Sequence, residues 1–129
     1  MPRPDRLAPA LLGVLGVSEI LLAVWMVLAP RSFFDSIGGF GAYNPHYMRD
    51  VATFELAIGI VALLAVRRPS WWPATLAVAA IQFGLHAVNH IVDVGRADPL
   101  AAGIFDAISL AAVALLLGWT FLALERRPA

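Results

Sequence analysis

An all-α, polytopic membrane fold is what this sequence predicts, and three observations predict it. Of the 129 residues, 60% are hydrophobic and 14% charged, and mean hydropathy is +0.79. The apolar residues gather in runs close to the length of about 20 that a spanning helix needs. Short polar connections, most of them carrying Arg, separate those runs. Together these imply one domain over 1–129, an antiparallel bundle of four transmembrane helices covering about 7–29, 48–66, 72–94 and 100–124.

The first run follows a polar start with Arg3 and Arg6 and is broken only by Ser18 and Glu19. A secretory signal peptide is the alternative. The length of the run, the carboxylate at its middle and Pro30 after the only suitable cleavage position favour a retained helix. Residues 30–47 read as a loop, because Pro30, Gly38-Gly39, Gly41 and Asn44-Pro45 are turn or breaker signals. Phe33, Phe34, Phe40, Tyr43 and Tyr47 make this loop aromatic, which suits an interfacial belt; a lid over a site between the helices is the alternative.

The second run carries Arg49, Asp50 and Thr53 near its start and Glu55 deeper in, and it stops at Arg67-Arg68-Pro69. Trp71-Trp72-Pro73 opens the third helix as an interfacial anchor, with proline near the first turn. The stretch from Gly95 to Pro99 is a turn. The fourth run is interrupted by Asp106 and Ser109 and closed by Glu125-Arg126-Arg127. Small residues such as Gly13, Gly16, Gly59, Ala80 and Gly103 allow close helix approach in lipid.

Arg placement gives orientation. Arg3, Arg6, Arg67, Arg68, Arg126 and Arg127 collect on one side, against Arg31, Arg49 and Arg96 on the other. The positive-inside rule then puts both termini in the cytoplasm of a plasma or inner membrane. All nine basic residues are Arg, balanced by nine acidic ones, and a net charge of zero offers nothing to nucleic acid. The absence of Cys excludes disulfides, thiolate metal sites and a Cys nucleophile. No serine sits in a Ser-His-Asp motif, and no glycine pattern forms a phosphate loop.

The polar residues of the apolar runs are not scattered. At about 100° per helical residue, Gln82, His86, Asn89, His90 and Asp93 fall within one arc of roughly 100° on the third helix. Glu19 lies near mid-membrane. Glu55 is about eight residues, ~12 Å, inside the outer end of its helix, His86 is at a similar depth, and Asp106 is ~7 Å below the outer start of the fourth helix. A central carboxyl costs roughly 2.5–3.5 kcal/mol on insertion scales, so each needs neutralisation, a partner or a bound cation.

Four readings of this cluster stand. A transition metal is the preferred one: Glu19, Glu55, His86, His90 and Asp106 would ligate Zn, Fe or Mn, since His86 and His90 at i, i+4 share a helix face and mixed imidazole–carboxylate ligation suits those ions. Asn89 and Asp93 would orient the imidazoles or hold part of the cofactor, and haem on one His is a lesser variant. The second reading is acid–base catalysis on a small lipophilic ligand, with Glu55 and Asp106 as acid and base. The third is transport of a small ligand or proton, for which a homo-oligomer would supply the continuous path. The last is a polar network that only fixes helix register.

The outline also resembles the small bacterial DoxX-like membrane proteins. The resemblance rests on the short helices, Arg49-Asp50 opening the second, Glu55 and Gly59 within it, and the Gln82, His86, His90, Asp93 stripe. It implies an integral inner-membrane protein linked with redox or stress partners, in which this Cys-free chain has no thiol of its own to offer.

Overall fold

The computed structural model describes residues 4–37 and 39–126, and its named elements there are all helices. Gly38, Arg3 and Arg127, which entered the sequence reading, lie outside the described residues. Five α-helices are present among these residues: α1 (Pro4–Leu28), α2 (Pro30–Ser36), α3 (Pro45–Ala65), α4 (Trp72–Asp93) and α5 (Leu100–Glu125). Single 3-10 turns at Pro69–Trp71 and Val94–Arg96 flank α4.

The stretch read as a loop corrects the sequence reading in two places. Its first part is the helix α2, started by Pro30 in the first turn and supported by the Arg31–Asp35 pair one turn apart at 2.9 Å. Its last residues belong to α3. Asn44 is the N-cap, its Oδ1 accepting from the backbone N–H groups of His46 and Tyr47, and Pro45 fills the first turn. Asn-Pro here starts a helix rather than breaking one.

The long helices associate as two antiparallel pairs. In the first, Gly13 faces Val66, and Gly16 faces Gly59 of α3 so closely that a Cβ on Gly16 would lie 2.9 Å from the Gly59 carbonyl oxygen. In the second, Gly84 faces Ala114 and Ala80 faces Gly118 of α5, each at van der Waals range. Small residues thus set the spacing within each pair. The pairs meet over an apolar cluster of Ala8, Leu12, Leu15, Ala62, Ala65, Leu76, Ala79, Phe83 and Leu117, which draws on all four long helices at one end of the molecule. Between α3 and α4, the Trp72 indole N–H donates to the Ala65 carbonyl at 2.9 Å. At the opposite end, Ala23, Met26, Phe33 and Ala52 form a second cluster that seats α2 on α1 and α3.

Polarity runs the reverse way to that of a water-soluble domain. Glu19 and Glu55 are 3% and 6% exposed, whereas Leu115 and Phe105 on the outer face are 75% and 70% exposed. Pro4–Leu28, Pro69–Arg96 and Leu100–Glu125 are long and apolar enough to cross a membrane. Of the four spans expected, three meet that description. The other, α3, has comparable length, but Arg49, Asp50 and Glu55 lower its apolarity.

Candidate functional site

The close contact of Gly16 with Gly59 determines what lies one turn away on each helix. Glu19 follows Gly16 by three residues and Glu55 precedes Gly59 by four, so the antiparallel crossing turns the two carboxyls toward each other. The two carboxyls lie within hydrogen-bonding reach of each other.

The second polar group belongs to the other helix pair. On α4 the Nε2 atoms of His86 and His90 lie 3.0 Å apart, one ring donating to the other, and the rings meet edge to face with centroids 4.7 Å apart. Asp106 of α5 lies close enough to both imidazoles to interact with them electrostatically. Three atoms here are buried without a hydrogen-bond partner among the described residues: Asp106 Oδ2, Gln82 Oε1 and His90 Nδ1. Each such group costs about 1–3 kcal/mol if left unsatisfied.

Both groups line one cavity of about 590 Å³ between the helix pairs. Its wall includes Glu19, Glu55, Gln82, His86, Asn89, His90, Asp93, Asp106 and Ser109. Leu22, Met26, Phe33, Phe34, Phe40, Tyr47, Met48 and Leu110 supply apolar and aromatic surface. Phe40 stands edge-on to His90 with centroids 4.6 Å apart. Its own segment is tied to the start of α5 by the bridge from Phe40 to Ala97 and by the Asp98 N–H donating to the Gly39 carbonyl at 3.2 Å. A separate groove of about 470 Å³ between α3 and α4 offers only Ser70 and Thr75 hydroxyls on a wall otherwise of apolar side chains and Trp71, and carries no such chemistry.

The residues expected to form one metal-ligand set therefore fall into two subsets facing a common space: Glu19 with Glu55, and His86, His90 with Asp106. Among the described residues no group of three or more His, Asp or Glu gathers at metal-binding spacing. Asn89 is exposed, and Asp93 pairs with Arg96 at 3.3 Å rather than hydrogen-bonding an imidazole. Ser18, Ser109 and Thr120 hydroxyls donate to backbone carbonyls of their own helices. Sequence reasoning missed the part of the wall contributed by Met26 and Met48, and reached the α2 rings only through the alternative of a lid. The density of aromatic residues after Pro30 was its one signal.

Comparison with known families gives a match over residues 5–129 to a family described as one of unknown function, DUF6790. The chain belongs to that family. Nothing in the match connects this DUF6790 chain with the DoxX-like proteins whose outline it resembles. No curated protein and no solved structure matches it.

Proposed function

We propose that this DUF6790 chain is a multi-pass membrane protein in which α1, α3, α4 and α5 cross as an antiparallel four-helix bundle, both termini cytoplasmic, and that it binds a small amphipathic organic molecule between its two helix pairs. The observation that carries this reading is the cavity of about 590 Å³, to whose wall every long helix contributes both polar and apolar side chains. Small-molecule sites are concave, roughly 300–1,000 Å³, mainly apolar, and equipped with a few convergent polar groups. The apolar cluster around Leu12, Leu76 and Leu117 closes one end, which favours a binding pocket over a conducting path. The aromatic segment at the other end acts as its cover. Glu55 and Asp106 stand on opposite helix pairs, where a bound substrate would meet an acid and a base together.

Binding of 4-phenylbutanol to the detergent-solubilised protein, followed by thermal unfolding, tests this reading. Wild type gains stability with saturable dose dependence, and Ser109→Phe, which fills the cavity from α5, abolishes the gain. A wild-type protein indifferent to the probe, or a Ser109→Phe variant that responds fully, removes the proposal.

One observation favours a second reading, the transition-metal site. The 3.0 Å separation of the His86 and His90 Nε2 atoms is close to the edge between neighbouring ligands of one ion, about 2.9–3.4 Å for metal–nitrogen bonds of about 2.0–2.1 Å. Carboxyl groups from the facing helices would complete that shell. Elemental analysis of the purified protein beside His90→Ala decides it: stoichiometric Zn, Fe or Mn lost in the variant supports the metal, and a metal-free wild type eliminates it.

A further inference from the structure

The cavity wall is rich in carboxyl groups and, among the described residues, has no basic side chain other than His86 and His90. It carries four carboxyl side chains, Glu19, Glu55, Asp93 and Asp106, and none of the described Arg residues. The sequence contains no Lys. Asp93 is engaged by Arg96 at 3.3 Å. Glu19 and Glu55 face each other across the α1–α3 crossing, both buried. Asp106 keeps Oδ2 buried and unpartnered, and so does Gln82 its Oε1. The His86–His90 contact uses one ring N–H, no hydrogen bond reaches Asp106 Oδ2 or Gln82 Oε1, and His90 Nδ1 is likewise without a partner among the described residues. The missing complement is a positively charged group with several N–H donors.

We infer that the cavity selects a lipophilic organic cation bearing N–H donors, a protonated primary amine, with its ammonium held between Asp106, Gln82 and the Glu19–Glu55 pair and its apolar body against Phe33, Phe34, Phe40 and Tyr47. This rests on the binding reading above and adds the charge and donor class of the ligand. An ammonium offers three donors and no acceptor, two for the orphan oxygens Asp106 Oδ2 and Gln82 Oε1 and one for the Glu19–Glu55 pair, and the aromatic rings add cation–π attraction. A carboxylate ligand would bring like charge beside three carboxyl groups. An alcohol would supply a single donor. A quaternary ammonium would supply charge without any donor.

Those differences give the test. Affinities of 4-phenylbutylamine, 4-phenylbutanol and 4-phenylbutyl-trimethylammonium are measured on the purified full chain by thermal shift and ligand-observed NMR. The amine is expected to bind at least tenfold more tightly than the other two. Asp106→Asn is expected to reduce the preference for amine over alcohol at least tenfold, while Asp50→Asn, at an exposed position paired with His46 and away from the cavity wall, leaves it unchanged. Equal binding of amine and alcohol overturns the inference and leaves the binding reading intact. Equal binding of amine and trimethylammonium also overturns it, since charge would then act without donors. Failure of all three probes on wild type removes both. The wild-type comparison decides the matter whether or not Asp106→Asn folds.

Discussion

The carbonyl oxygen of Gly16 would sit 3.0 Å from a Cβ added to Gly59, and that of Gly59 2.9 Å from one added to Gly16. Neither backbone can yield without parting α1 from α3. Gly59→Ala would also press on Glu19, whose Cβ would lie 3.1 Å from the new methyl. Each single Gly→Ala substitution at this crossing is therefore expected to destabilise by about 1–3 kcal/mol, as overpacking does. Thermal unfolding in detergent checks the value, and the Gly13→Ala substitution, with nothing nearer than 3.9 Å, is expected to be close to neutral.

Replacing Glu55 separates the carboxyl pair from its neighbours chemically. Glu55→Gln retains a donor for Glu19 and is expected to cost less than about 1 kcal/mol. Glu55→Ala leaves the buried Glu19 without its partner and is expected to cost about 1–3 kcal/mol. Equal stability of the two variants in chemical unfolding would show that the pair contributes nothing beyond packing.

Asn44 holds the start of α3 through two backbone N–H groups, so Asn44→Ala is expected to lower stability by about 0.5–2 kcal/mol. Asn44→Asp, which keeps an acceptor oxygen at the cap, is expected to restore it. Hydrogen exchange at His46 and Tyr47 reads the effect locally, and unchanged protection in Asn44→Ala would contradict the cap.

The absence of Cys makes topology measurable with single substitutions. In intact cells a membrane-impermeant thiol reagent is expected to label Ser36→Cys in α2 and to spare Ser70→Cys, with the pattern inverted in inside-out vesicles. Both positions are exposed. Labelling of Ser70→Cys from outside would reverse the orientation.

The parts of this fold that could be read in advance are those where one physical requirement acts alone. Long apolar runs between Arg residues mark helices, and the observed bounds of α1, α3, α4 and α5 differ from the expected ones by about three residues or fewer. The stripe of Gln82, His86, Asn89, His90 and Asp93 was legible for the same reason, since helical periodicity by itself puts those residues on one face. The helix α2 was not legible, because Pro30 is both a breaker for α1 and a favourable first residue for a new helix. Asn44-Pro45 carries the same ambiguity between turn and cap. Pairing of the polar groups lay further out of reach: that Glu19 meets Glu55 depends on the Gly16–Gly59 crossing, and periodicity along one helix says nothing of which neighbour it faces.

The apolar cluster of Leu12, Ala62, Leu76 and Leu117 would, in the proposed orientation, lie between the cavity and the cytoplasm, and a transmembrane voltage would drop mainly across it. In the proposed orientation a charge resting beside Asp106 senses only a small part of the roughly 2.3 kcal/mol that 100 mV exerts on a unit charge carried the whole way across. Occupancy would then follow external concentration and ignore how strongly the cell is energised.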